Sequence, residues 1–130
     1  MNEILKLHKG NYSGEVQTLK EYAGFITSKT TYSDKYSSEF HYHENPHLSL
    51  ILQGGNQEHK SAEKSLKSAG DVLFYHSGEL HKTIPTDRQT KNLNLEIDAH
   101  FLAANHVSEA ELKQAVEERF NSRLFMLKVH

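Results

Sequence analysis

His41-Tyr42-His43-Glu44-Asn45-Pro46-His47-Leu48-Ser49-Leu50-Ile51-Leu52-Gln53-Gly54 carries the clearest strand signal of the chain together with its densest histidine cluster. Leu48, Leu50 and Leu52 alternate with Ser49 and Ile51 before Gly54-Gly55 interrupts the run, the period of two that a strand with one half-buried or buried face requires. On a strand, His41 and His43 share a face, a spacing suited to chelating one ion. Working outward, Gly24 to Tyr32 is rich in β-branched and aromatic residues, and Val72-Leu73-Phe74-Tyr75 follows a turn-forming Ser68-Ala69-Gly70-Asp71. Leu93, Leu95 and Ile97 alternate with Asn92, Asn94 and Glu96. Short strands at this spacing predict a mainly β chain closed into a barrel or sandwich. The only two prolines, Pro46 and Pro85, fall where loops are expected.

The chain has 130 residues, about one domain, so one function must fit one core. Leu, Ile, Val and Phe make up 31 residues, about 24%, enough to fold. Fifteen Lys and Arg against seventeen Asp and Glu give a net charge of −2, which argues against a nucleic-acid-binding face. Zero cysteines remove disulfides, thiolate metal sites and cysteine nucleophiles, and fit a reducing, cytoplasmic location. No apolar run approaches the ~20 residues of a membrane span. Six of the ten histidines lie between His41 and His81, so any site chemistry is expected there.

After residue 98 the pattern changes. Ser108-Glu109-Ala110-Glu111 is a capping-box pattern, and Leu112, Val116 and Phe120 recur at i+4, predicting a helix within about 106–121. The chain then ends on apolar Leu124-Phe125-Met126-Leu127-Lys128-Val129-His130 with no stop signal, as if an element were cut in mid-course. Lys60, Lys64 and Lys67 with Glu58 and Glu63 read as a solvated loop face or edge strand, and Glu109 with Lys113 as a surface i,i+4 pair. Glu44 falls on the opposite strand face from His43, which leaves no evident general base.

The histidines and glycines are also spaced in a recognisable way. His41-x-His43 is followed after three residues by His47 and after six more by Gly54; Gly70, His76, Gly78 and His81 then follow at intervening gaps of five, one and two. This resembles the two motifs of the cupin superfamily, with His47 in place of the usual Glu, His76 in place of Pro, Pro85 in place of a frequent Asn, and Lys35 in place of an opening Gly. The run His41-x-His43-Glu44-Asn45 before one apolar strand, and Gly78-Glu79-x-His81 after another, resembles more narrowly the N-terminal cupin-like domain of AraC-type transcriptional regulators.

That resemblance implies a cupin-like double-stranded β-barrel, or jelly roll, over 1–98, then one or two helices within 99–130 that form a dimerisation element. It implies an effector-sensing domain that binds a small molecule in the barrel at His41, His43, His47 and His81, forms a homodimer, and reaches DNA only through a C-terminal helix-turn-helix domain not in this chain. No catalytic residue is assigned. A divalent metal at the same four histidines stays open, and with it the alternative of a stand-alone metal-dependent cupin enzyme of dioxygenase or isomerase type. A purely structural dimerisation domain is a third reading.

Overall fold

The computed structural model describes residues 4–12, 14–35, 39–60 and 63–118. Ten strands run as β1 (Leu5–Leu7), β2 (Glu15–Tyr22), β3 (Phe25–Ser33), β4 (His41–His43), β5 (His47–Gln53), β6 (Gly55–Lys60), β7 (Glu63–Ser68), β8 (Val72–Tyr75), β9 (His81–Pro85) and β10 (Gln89–Ile97), followed by α1 (Ala99–Ala104) and α2 (Glu109–Val116). They form two five-stranded sheets, ordered β1-β4-β9-β6-β7 and β2-β3-β10-β5-β8. This is the mainly β, jelly-roll architecture with C-terminal helices that the motifs imply. No helix among the described residues is long and apolar enough to cross a membrane.

Sequence-adjacent β5 and β6 lie in different sheets, so the chain must turn sharply between Gln53 and Gly55. Gly54 does this at a φ of +80°, where a Cβ would lie 2.4 Å from the Gln89 carbonyl oxygen. Both the left-handed backbone and the close approach require glycine. Pro85 is not in a loop: it is the last residue of β9, opposite Asn56, a strand-end position that costs little ladder bonding.

The face on which each strand buries its side chains is the main departure from expectation. In β10 the buried residues are Thr90, Asn92, Asn94 and Glu96, and in β5 they are His47, Ser49 and Ile51. The leucines point outward: Leu48, Leu50, Leu93 and Leu95, with Val72, line an apolar groove of about 290 Å³ on the outer surface. Alternation fixes that a strand has two faces; it does not say which one meets the core. Here the polar face is inside and most of its groups bond to one another, although Asn92 Oδ1 is buried without a partner. Ser49 Oγ donates to Asn94 Oδ1 at 2.7 Å, Asn92 Nδ2 donates to Ser49 Oγ at 3.1 Å, and Asn94 Nδ2 donates to Thr30 Oγ1 at 3.1 Å and Ser28 Oγ at 3.3 Å. The buried apolar cluster is small, formed by Ile51, Leu73 and Tyr75.

The capping box forms in part. Ser108 Oγ accepts from Glu111 N–H at 3.1 Å, and the Ser108 hydroxyl donates to the Glu111 carboxylate at 3.1 Å. Val116 is buried against the barrel beside Val72 and Phe74, so this helix face packs on its own domain; Phe120 and the 124–130 tail lie outside the described residues. The Glu109–Lys113 pair does not form. Lys113 sits 3.9 Å from Glu117 instead, while Glu109 turns to the β8–β9 turn.

Asn94 ties β10 to both β3 and β5, so Asn94→Ala should leave three buried hydroxyls short of a partner. The expected loss is about 2–3 kcal/mol, read as a lower urea midpoint at unchanged slope.

Candidate metal centre

Strand β4 places His41 and His43 on the inner face of the first sheet, and β9 pairs His81 directly opposite His41. All three are buried, and their candidate ligand nitrogens lie within 4.8 Å of one another. The rings of His41 and His81 are 4.3 Å apart, and His43 lies 5.3 Å from each. His47 reaches in from β5 of the facing sheet, with its ring 4.3 Å from His43 and 6.1 Å from His81. The four residues singled out in the sequence therefore share one interior. Three form a tight group, and His47 lies beside it.

The hydrogen bonds around the group select a ring tautomer. His41 Nδ1–H donates to the Glu39 carbonyl at 2.7 Å, and His81 Nδ1–H donates to the Glu79 carbonyl at 3.0 Å. Each bond runs two residues back along the chain and leaves Nε2 as the lone-pair nitrogen, the arrangement that orients a metal-ligating imidazole. The Nδ1 atoms of His43 and His47 are buried without a hydrogen-bond partner, which costs stability unless something else engages them.

Burial holds all four imidazoles in the neutral form. It pushes His43 down to about 3, with the neighbouring His41 adding to the effect. It lowers His41 against the opposing pull of the Glu39 carbonyl, and it drives His47 and His81 well below the ordinary range. A neutral imidazole is the form that binds a metal. Nitrogens bound at ~2.0–2.1 Å to one ion stand at most about 4.2 Å apart, so a slight drawing-in suits the group to a divalent transition ion. The all-nitrogen donor set favours zinc, copper, nickel or iron over calcium or magnesium.

One acidic residue escaped the sequence reading. Glu58, which its charged neighbours predict to lie on a solvated face, is 2% exposed and lines the same cavity as the histidines. It accepts the Thr83 hydroxyl at 2.9 Å, and burial raises its carboxyl to about 7 despite hydrogen bonds from Tyr75 and Thr83 that favour the charged form. The signal available was the alternation of Asn56, Glu58 and Lys60 on β6, obscured by the run of charges that follows. Lys60 is only partly exposed: its Nζ donates to the Phe74 carbonyl at 2.8 Å and lies 4.6 Å from the centre of the Tyr75 ring. Glu63, Lys64 and Lys67 do lie on an edge strand, β7. Glu44 is exposed, beside His8 and the Lys9 amide, and takes no part in the site.

Tyr12 closes the cavity over His43 and His47 at ring distances of 5.2 and 5.6 Å, and Tyr75 stacks on His81 at 4.0 Å. The space left among these groups is about 10 Å³. A single water or ion needs roughly that much, so among the described residues the space between the histidines suits an ion better than an organic molecule.

No family sequence model and no curated protein sequence matches the chain. Solved structures do match it in fold. A cupin-2 conserved barrel domain protein from Salinispora arenicola aligns with a TM-score of 0.59 at 23% identity, over 68% of this chain and 79% of that one. A cupin superfamily protein from Desulfitobacterium hafniense aligns at 0.56 and 21%, over 63% and 74%. A DMSP lyase from Ruegeria pomeroyi aligns at 0.55 and 22%, over 58% of this chain and 39% of the lyase. The fold is thus that of cupin-superfamily structures, and similarity at this level of identity concerns the fold alone.

The pH dependence of the metal-free protein follows from these shifts. Below the ordinary histidine value of ~6.5 the unfolded chain takes up protons that the buried imidazoles refuse. Stability should therefore fall by about 1.4 kcal/mol per pH unit for each such histidine once the pH is well below 6.5, down to that histidine's folded value. Glu58 acts in the opposite sense, since its contribution is lost as pH rises from 4.5 to about 7. Four histidines outweigh one carboxyl. A urea midpoint that falls steadily from pH 6.5 to 5 is expected, and a flat profile would contradict the buried neutral cluster.

Proposed function

We propose that the chain is the sensing and self-association module of a cytoplasmic AraC-type transcriptional regulator, and that its barrel takes a divalent transition-metal ion at His41, His43 and His81. The motif run within a cupin fold supports the family part of the reading. The net charge of −2 agrees with DNA recognition belonging to a separate helix-turn-helix segment. The size of the cavity supports an ion over the organic effector that the resemblance implies.

The observation that carries the sensing role is the tether of α2. Glu109 Oε1 accepts the Ser77 N–H at 2.7 Å, Oε2 accepts the Ser77 hydroxyl at 2.7 Å, and His76 Nδ1 lies 3.6 Å from Oε1. Ser77 belongs to the turn that delivers His81, and the Gly78 N–H donates to the His43 carbonyl at 3.0 Å. A ligand that favours one placement of His81 thereby favours one placement of α2, which is what a population shift needs.

A second reading, a metal-dependent cupin enzyme, is favoured by Glu58. A bound divalent ion would supply a Lewis acid. Glu58, divided near neutral pH between acid and carboxylate, would take or return a proton inside the same cavity.

Cobalt or zinc titration followed by amide hydrogen exchange separates the two. Stoichiometric binding is expected. His81→Ala should weaken it by more than the ~10–100-fold that loss of a supporting partner costs. Under the sensing reading, metal alters exchange in α2 and the β8–β9 turn, and Glu109→Ala removes the response in α2 while leaving affinity nearly unchanged. Metal binding without any response in α2 would count against that reading. The same protein should sediment as a dimer at tens of micromolar and bind duplex DNA only weakly, without sequence preference, because it has no cation surplus with which to release counterions.

A further inference from the structure

Strands β7 and β8 are edges of opposite sheets, and α2 lies over the seam between them. There Lys60, Lys67, Lys113, Val72, Phe74 and Val116 surround a cleft of about 210 Å³, separate from the histidine cavity, with Glu63, Ser65, Leu73 and Glu117 completing its wall. It is smaller than the ~300–1,000 Å³ of pockets for drug-sized ligands and about twenty times the space left among the histidines.

The charges of the cleft are unevenly placed. Lys60 is partly buried, with its side chain 25% accessible. Its Nζ has one short bond, to the Phe74 carbonyl, and a longer contact of 3.7 Å to Glu79, which is itself engaged by the His76 N–H. An ammonium has three protons to give, so Lys60 keeps donor capacity at the floor. Lys67 makes no ion pair among the described residues. Of the two acids, Glu117 is 56% accessible and pairs loosely with Lys113 at 3.9 Å, while Glu63 is exposed at the start of β7. The two acids that line the cleft are therefore solvated at the rim. The partly desolvated charges are Lys60 and its partner Glu79, each about a quarter accessible, and beside them stand Lys67 and an apolar wall of Val72, Phe74 and Val116.

We propose that this cleft binds a small organic monoanion, a monocarboxylate with a compact apolar body, with its carboxylate on Lys60 and Lys67 and its apolar part against Val72, Phe74 and Val116. Inorganic phosphate would leave the apolar wall unused, and a neutral molecule of the same shape would leave Lys67 without an anionic partner. The proposal does not depend on the regulator reading or on metal, since the linings of the cleft and the histidine cavity share only Leu73, and the other link is Lys60 Nζ, 4.6 Å from the centre of the Tyr75 ring.

Benzoate, benzamide and inorganic phosphate, titrated into the full chain and followed by amide chemical shifts, provide the test. Benzoate should shift amides of β7, β8 and α2 saturably, with benzamide and phosphate each at least tenfold weaker. Lys60→Met should weaken benzoate at least tenfold. Lys67→Met, on an edge strand where folding is not at risk, should weaken it severalfold, and His41→Ala should leave it unchanged. Absence of a saturable shift, equal binding of benzamide, or benzoate binding that survives Lys67→Met unchanged would each overturn the assignment. A benzoate response lost in a folded His41→Ala variant would show that binding depends on the histidine cluster and not on the cleft, and would equally defeat it.

Discussion

Keeping four imidazoles and a carboxyl out of water between two small sheets is the constraint on which the rest of this structure depends. Desolvation makes each charged form expensive, so His41, His43, His47 and His81 stay neutral and Glu58 holds its proton to about pH 7. Neutral rings still need partners for their N–H groups. The backbone supplies two, at Glu39 and Glu79, each two residues before the ring it holds. Those bonds aim the remaining lone pairs inward, so the same burial that weakens the apolar core makes a donor set for a metal.

The inward-facing polar network is a second consequence. Residues next to a polar site can be buried at low cost only if they bond to one another, and Ser49, Asn92, Asn94, Ser28 and Thr30 do so across three strands. The leucines that alternate with them are thereby forced to the outer surface. Glu96 performs a related task at the end of β10: it accepts the Asn45 amide at 3.0 Å and the Gly10 N–H at 3.2 Å. It thus fixes the segment that carries Tyr12 over His43 and His47.

These relationships explain what the sequence could and could not disclose. His41 and His43 were legible because strand geometry alone puts them on one face. His81 was legible only through the spacing of the glycines around it, since nothing local predicts that it pairs with His41. The strands at 47–53 and 89–97 were plain from their alternation, yet the direction of that alternation depends on the polar network, which is assembled from residues as far apart as Ser28 and Asn94. Glu58 was hidden for a different reason. It sits in a charged stretch whose other members, Glu63, Lys64 and Lys67, are indeed on an exposed edge, and only the register of β6 against β9, Glu58 opposite Thr83, turns it inward. Helical spacing alone puts Glu109 on a helix surface, because its true partner, Ser77, lies 32 positions away.

The manner in which α2 is held gives the arrangement its capacity to respond. Its one fully buried side chain among the described residues is Val116, and at the other end it is secured by the carboxylate of Glu109 on Ser77. The strands beneath are held by continuous ladders and by the polar network. An element with so little apolar burial opens at lower free energy than the sheets it covers. It borders the histidine site through the Ser77 turn and the lysine-lined cleft through Lys113 and Val116. Any difference in affinity between conformations, from either side, would therefore be expressed first in α2.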